Sequence, residues 1–173
     1  MSISVIFIGI SESDANSIER NIRAAFPNAT FNYFTVSDVN EASDVASRLP
    51  GDTSGVLVLL GGVPRGGAGT LRPILSKGYP TVLIADTYAY VVSAEFLMEY
   101  SRAAKANLPV LGVLAKDPFN IDSLSKYIRM LIAVGRLRES RIVAVIGAEE
   151  NWLFLRWFPL SIDFYSLRPY LQS

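Results

Sequence analysis

The chain has 173 residues, half of them hydrophobic and 18% charged, with sixteen basic and sixteen acidic side chains. This length and composition predict one compact core, and the zero net charge argues against nucleic acid as a partner. No apolar run reaches the length of a membrane span, and residues 3–10 lack the features of a signal peptide, so we expect a cytoplasmic protein.

Cysteine and histidine are both absent from the chain. Their absence excludes disulfides, metal sites built on thiolate or imidazole ligands, cysteine nucleophiles and Ser-His-Asp relays. Acid–base chemistry would therefore depend on Asp, Glu, Lys or Tyr.

The first fifty residues predict two strands and two helices. Residues 3–10 form a continuous apolar run, which is typical of a central strand covered on both faces. A helix follows, capped by Ser13 or Asp14. Residues 31–36 alternate apolar and polar side chains, which favours a strand near an edge of the sheet. A short helix then begins at Asp38 and ends near Leu49.

A buried strand, a glycine-rich turn and a helix follow in the middle of the chain. Residues 55–60 are apolar, and five of the 12 glycines lie between Gly61 and Gly69, where the backbone needs unusual dihedral angles or a close approach. We expect Thr70 to cap a helix over 71–77 that ends at Gly78. The next apolar run, 81–86, completes a βαβ unit and therefore indicates a parallel sheet.

Two further strand and helix pairs complete the pattern. A helix of about 14 residues ends near Asn107, a strand covers 109–114, a long helix begins after Asn120, and a sixth strand covers 141–147. Six strands alternating with five helices predict a doubly wound, mostly parallel sheet in three α/β/α layers, which is a Rossmann-like or flavodoxin-like fold. The expected strand order is 2-1-3-4-5-6.

The C-terminal segment is rich in aromatic side chains. Residues 152–170 contain seven of them, and their spacing fits neither a strand nor a helix. We expect a Rossmann-like domain over 1–150 and, over 151–173, a tail that meets a partner surface and contains a seventh strand at 161–166. The candidate interface residues are Trp152, Phe154, Trp157, Phe158, Phe164 and Tyr165.

The order of these segments resembles the N-terminal domain of the L-fucose isomerase and L-arabinose isomerase superfamily. The residues that carry the likeness are the runs 55–58, 61–62, 78–85, 93–95, 124–136 and 137–147. In that family these segments build the Rossmann-like first domain.

The resemblance implies a role in sugar metabolism without catalysis by this chain. In the family, the metal-binding carboxylates and the catalytic histidine come from later domains, so no catalytic residue or metal ligand carries over. The chain is then either a fragment of an aldose–ketose isomerase or a free-standing relative. A divalent metal such as manganese would enter only with the complete isomerase, and we expect a homo-oligomer or companion isomerase domains as partners.

The glycine-rich loop also allows an alternative function, the binding of a sugar or phosphate ligand. Backbone N–H groups at a helix N-terminus favour anions, and Arg65, Gly66 and Gly67 lie in this loop. The loop matches neither the P-loop nor the dinucleotide-binding spacing. A flexible or partner-contacting loop is the competing interpretation.

Ligands in sheets of this kind bind beyond the carboxyl ends of the strands, where the strand order reverses. The candidate ligand-binding residues are therefore Ser11, Glu12, Gly61, Gly62, Arg65, Gly66, Gly67, Asp86, Tyr88 and Asp117. Asp86 is the strongest polar candidate, although a capping role would explain it without a ligand. We interpret Glu95 as a structural residue at the start of a helix.

Overall fold

The computed structural model describes residues 2–62, 69–87 and 90–139, together with two strands beyond them. The strands are β1 (Ser2–Ile8), β2 (Phe31–Val36), β3 (Thr53–Leu60), β4 (Thr81–Asp86), β5 (Val110–Ala115), β6 (Arg141–Ile146) and β7 (Ser161–Ser166). The helices are α1 (Glu12–Ala25), α2 (Val39–Arg48), α3 (Arg72–Leu75), α4 (Tyr90–Lys105) and α5 (Ile121–Glu139).

Five parallel strands form one sheet in the order β2-β1-β3-β4-β5. Helices α1 and α5 pack on one face of this sheet, and α2, α3 and α4 pack on the other. The predicted three-layer α/β fold of the Rossmann or flavodoxin type is confirmed, as is the order of the first five strands. Only the place of the sixth strand differs.

The core consists of two layers, one on each face of β1 and β3. Every residue of these two strands is buried. Their side chains alternate between the layers, so that Ile6 and Val58 face α2 and α4 while Val5 and Leu57 face α1 and α5. Because both faces are covered, the strands are mostly apolar, and their polar residues, which lie towards the strand starts, are buried as well. The edge strands β2 and β5 are only partly buried.

Side-chain caps set the starts of three helices. The hydroxyl of Ser11, and not of Ser13 or the carboxylate of Asp14 as expected, caps α1. Asp38 caps α2 by accepting the N–H groups of Asn40 and Glu41 at 2.8 and 2.9 Å, and Asn120 accepts the N–H of Ser123 at the start of α5.

The helix predicted over 71–77 is shorter than expected. It has four residues and no side-chain cap, and Thr70 is a fully buried residue outside it. The chain leaves this turn at Gly78, which adopts a φ of +72°.

No helix in the described part of the chain has both the length and the hydropathy needed to cross a bilayer.

Helix α4 lies close against the edge strand β5. Val92, Phe96 and Ala103 face the sheet, and Phe96 stacks on Tyr100 with ring centroids 5.7 Å apart. A Cβ at Gly112 would lie 2.8 Å from ring atoms of both aromatic residues. The glycine therefore lets this aromatic pair rest directly on the strand.

The sixth strand was expected beside β5, and this expectation is wrong. Strand β6 pairs instead with β7 in a separate parallel two-stranded sheet, in register from Arg141↔Ser161 to Ile146↔Ser166. We expected β6 beside β5 because strands that follow one another in the chain are usually neighbours in a sheet. Strand β7 offers β6 a competing partner with a complete six-residue ladder. The pair joins one strand from each side of the boundary predicted at residue 150.

The structure describes only part of the predicted C-terminal interface. Trp152, Phe154, Trp157 and Phe158 lie outside the described residues, and for Phe164 and Tyr165 only the place in β7 is described. The seventh strand predicted at 161–166 is confirmed.

Candidate functional site

A cleft lies at the carboxyl ends of β1 and β3, where the strand order reverses. Strand β1 continues to β2 on one side, and β3 continues to β4 on the other, so the connections leave these two strands towards opposite faces of the sheet and open a crevice between them. The cleft has a volume of about 430 Å³. Its wall combines α1, the ends of β3 and β4, and the loop before α5.

Glycines bring the turns after β1 and β3 into direct backbone contact. Gly9 has a φ of +61°, and the Gly61 N–H donates to the Ile8 carbonyl at 2.9 Å. A Cβ on Gly9 would lie 2.5 Å from backbone atoms of Gly62, and a Cβ on Gly62 would lie 2.7 Å from the Gly9 oxygen. Since no side chain fits between the turns, these glycines shape the floor of the cleft.

The polar wall of the cleft comes from the first turns of α1. Ser11 Oγ donates to Asp14 Oδ2 at 2.6 Å and accepts the Asp14 N–H at 3.2 Å, so the capping hydroxyl also orients the Asp14 carboxylate. Ser17 and Asn21 follow Asp14 at helical spacing and line the same cleft. One face of α1 thus presents hydroxyl, carboxylate and amide groups in a row.

The opposite wall is acidic at one point and apolar elsewhere. Asp86 at the end of β4 is partly buried and lines the cleft, together with the side chains of Ile10 and Phe119. Among the described residues that line the cleft there is no cationic side chain. The arrangement suits a neutral ligand rich in hydroxyl groups, which polar side chains can orient by hydrogen bonds while an aromatic ring packs on its apolar face.

The structure brings some of the predicted site residues together and separates others. Ser11, Gly61 and Asp86 line the cleft, and Gly62 supports its floor through Gly9. Glu12 and Asp117 are exposed and outside the lining. Arg65, Gly66, Gly67 and Tyr88 lie outside the described residues.

Sequence reasoning missed most of the α1 wall. Ser17, Asn21 and Phe119 were not candidates, and Asp14 was considered only as a cap. The signal that could have found them is the spacing of Asp14, Ser17 and Asn21, which places three polar side chains on one helical face next to the buried Ile18.

Two buried carboxylates lie beneath the end of the glycine-rich loop. Glu95, which is in the second turn of α4 and not at its start, is 5% exposed and accepts the Gly69 N–H at 3.0 Å. Glu99, one turn later, is 1% exposed and forms ion pairs with Arg72 at 3.7 Å and with Arg102. Glu95 is thus structural for a different reason than expected, because it fixes the base of the loop.

This arrangement disfavours an anion at Gly69. The Gly69 N–H already bonds to the Glu95 carboxylate, so a phosphate would have to displace this carboxylate even though the Arg72 guanidinium lies beside Gly69. Helix α3 has only four residues and hence little macrodipole to favour an anion.

No group of three or more acidic side chains within the described ranges is placed to hold a metal ion. No protein-family model matches the sequence, and no curated protein is significantly similar to it. The geometry of the cleft is therefore the basis for assigning a function.

Proposed function

We propose that this chain is a Rossmann-like ligand-binding and assembly domain, similar to the non-catalytic N-terminal domain of fucose- and arabinose-type sugar isomerases. In this proposal the cleft contributes hydrogen bonds to a sugar, and the chemistry of isomerisation belongs to other domains that supply the metal and the catalytic groups. Association with further copies or with companion isomerase domains would complete the site.

The observation that carries the proposal is the composition of the cleft at the switch point. Hydroxyl, amide and carboxylate side chains of α1 and β4 face one crevice together with the ring of Phe119. Sugars are recognised by such groups because each hydroxyl both donates and accepts hydrogen bonds, and because the C–H face of the ring packs on aromatic surface.

The test is a titration of the ¹⁵N-labelled full chain with L-fucose, L-arabinose and their alditols, followed by amide chemical shifts. We expect saturable shifts at Ser11, Ser17 and Asn21, and weaker binding in Asn21→Ala. Asn28→Ala is the matched control, because Asn28 is also an exposed asparagine but lies near the opposite end of the sheet. The absence of saturable shifts with every sugar, or equal weakening in both variants, would refute the sugar-binding role.

The same samples test for catalysis. With manganese and either aldose added, we expect no ketose above a protein-free blank, since the described residues offer no acidic cluster for the metal. Formation of ketose that Asp86→Asn abolishes would show that the chain is itself an isomerase.

The alternative function, phosphate or sugar-phosphate binding by residues 61–70, gives a different pattern. It would require shifts at Gly69 on addition of inorganic phosphate. We expect none, because Glu95 occupies that N–H group. Phosphate-dependent shifts at Gly69 that are lost in Arg65→Ala would favour the alternative over the sugar cleft.

A further inference from the structure

Exposed apolar side chains concentrate along one edge of the sheet. Eight large hydrophobic residues of the described chain are exposed, and four of them lie on β5 or on the helices beside it. These four are Leu97, Leu111, Leu114 and Met130, with exposed fractions between 36% and 55%. An apolar border of this kind marks a surface that is covered in use.

Helices flank the strand on both faces of the sheet. On the α4 side, Tyr100 packs against Gly112, and Leu97 lies one turn before it on the same side of the helix. On the α5 side, Met130 and Val134 form a groove of about 610 Å³ with Leu111. The edge of β5 therefore lies at the bottom of a slot with two apolar walls.

The backbone of β5 is open towards this slot. The carbonyls of Pro109 and Ala115 accept bonds from Thr81 in β4 and from Thr87 just after it, so alternate residues of the strand point their backbone groups away from β4. The outward set is Val110, Gly112 and Leu114, of which Val110 already donates its N–H to the Leu108 carbonyl at 2.8 Å. Among the described strands none pairs with this side of β5. The strand also carries no charged residue that would block pairing.

We propose that a second copy of this chain pairs with the β5 edge, so that two five-stranded sheets join into one ten-stranded sheet. A two-fold axis makes the two β5 strands antiparallel. Placed at Gly112, the axis sets uncharged residues opposite uncharged residues along the whole strand. The proposed contact is independent of the sugar-binding cleft and distinct from the predicted aromatic C-terminal interface.

The spacing of the α4 helices fits this occupant. Helix α4 packs on both β4 and β5, so its axis lies above the space between them. Across a β5 pair the two α4 helices would then be two strand spacings apart, about 10 Å, which is the distance at which helices pack. Leu97 lies at the level of Gly112, near the axis, so it would meet its own copy.

Charge and area are compatible with a second copy. Arg138 lines the groove near Pro109, and antiparallel pairing brings both Lys116 and Asp117 of the other copy to the same end of the strand, so Asp117 partly offsets the two basic side chains. Four side chains of this size and exposure amount to roughly 300 Å², more than a third of the ~800 Å² per partner in a standard interface. The strand backbone and the partly buried groove residues add to this area.

The first test is sedimentation of the full chain over a range of micromolar concentrations. We expect twice the chain mass of 19.0 kDa for the wild type, and a dimer dissociation constant raised about 100-fold in Leu97→Glu and Leu111→Lys, which bury a charge in the contact. Val39→Glu is the matched control, since Val39 is 40% exposed but lies on α2, which packs on β2 at the opposite edge. A monomeric wild type, or a dimer that neither edge variant weakens, would overturn the proposal.

The second test does not require a charge to be buried. The chain has no cysteine, so Leu97→Cys and Val39→Cys each carry a single thiol. A short bismaleimide should link Leu97→Cys into a covalent dimer and leave Val39→Cys monomeric. Equal cross-linking of the two variants would contradict a two-fold axis near Gly112.

Discussion

Replacing Gly9 by alanine tests the contact that forms the floor of the cleft. Gly9 combines two constraints, a φ of +61° and backbone atoms of Gly62 only 2.5 Å from the position of a Cβ. Two other glycines separate these effects. Gly78 has a φ of +72° with open space around it, and Gly51 has neither a left-handed φ nor an atom within 4 Å.

The expected losses follow from adding these effects. A left-handed φ costs alanine about 1–2 kcal/mol, and forcing a methyl group against fixed backbone costs about 1–3 kcal/mol more. Restricting the unfolded chain returns about 0.4–1 kcal/mol. We therefore expect the free energy of unfolding to fall by about 3 kcal/mol in Gly9→Ala and by about 1 kcal/mol in Gly78→Ala. In Gly51→Ala it should stay equal or rise slightly.

Urea denaturation followed by far-ultraviolet circular dichroism measures these differences. At this chain length the loss in Gly9→Ala corresponds to a melting temperature lower by about 6–12 °C. Equal m-values would show that the compactness of the two end states is unchanged. A loss in Gly9→Ala no larger than that in Gly78→Ala would refute the close contact between the turns, and with it the described shape of the cleft.

Three further predictions concern stability. Burial raises the pKa of Tyr33 to about 12, with Arg23 lowering it in part. The folded state therefore keeps this phenol neutral, while the phenol of the unfolded chain ionises above pH 10. The free energy of unfolding of the wild type should fall by about 2 kcal/mol between pH 10 and 12 relative to Tyr33→Phe, whereas the difference between the two proteins should not change with pH near pH 8. A stability difference between wild type and Tyr33→Phe that stays constant up to pH 12 would show that the Tyr33 phenol is not shielded from water. Glu99→Gln should destabilise by about 1 kcal/mol because it weakens the bonds to Arg72 and Arg102, whose half-exposed guanidinium groups stay solvated. Glu95→Gln should cost less in the same denaturation assay because the amide oxygen can still accept the Gly69 N–H. The reverse order would contradict these pairings. Asp38→Ala should destabilise the protein by about 1 kcal/mol through loss of the α2 cap. The control, Asp44→Ala, should cost about 0.5 kcal/mol or less, because its ion pair with Arg48 is exposed. Equal losses of stability in thermal melts of the two variants would rule out the cap.

The fold could be predicted from sequence wherever a residue pattern had one physical interpretation. Strand β4 was predicted within its observed bounds because a run of apolar residues lies between a proline turn and a polar end. The order of the first five strands is the one expected for a flavodoxin-like sheet. The expectation for β6 was wrong, because it considers only which strands follow one another in the chain and not a competing partner such as β7.

The candidate site was predictable only at the ends of the strands. Ser11, Gly61 and Asp86 were identified because a parallel sheet brings these ends together. Ser17 and Asn21 were missed because exposed polar residues on a helix ordinarily face only solvent. The burial of Glu95 and Glu99 was missed because a carboxylate is rarely buried without a partner, and the partners, Gly69 and Arg72, lie more than twenty residues away in the chain.

The contact between the turns also constrains how the cleft can open. Because the Gly61 N–H bonds to Ile8 and the Gly62 backbone lies against Gly9, neither turn can swing outwards without breaking its fit to the other. Amide protons of both turns should therefore exchange with solvent in one concerted event, at rates close to those of the central strands. A ligand entering the crevice would then displace the exposed α1 side chains and Phe119, while the glycine floor stays fixed.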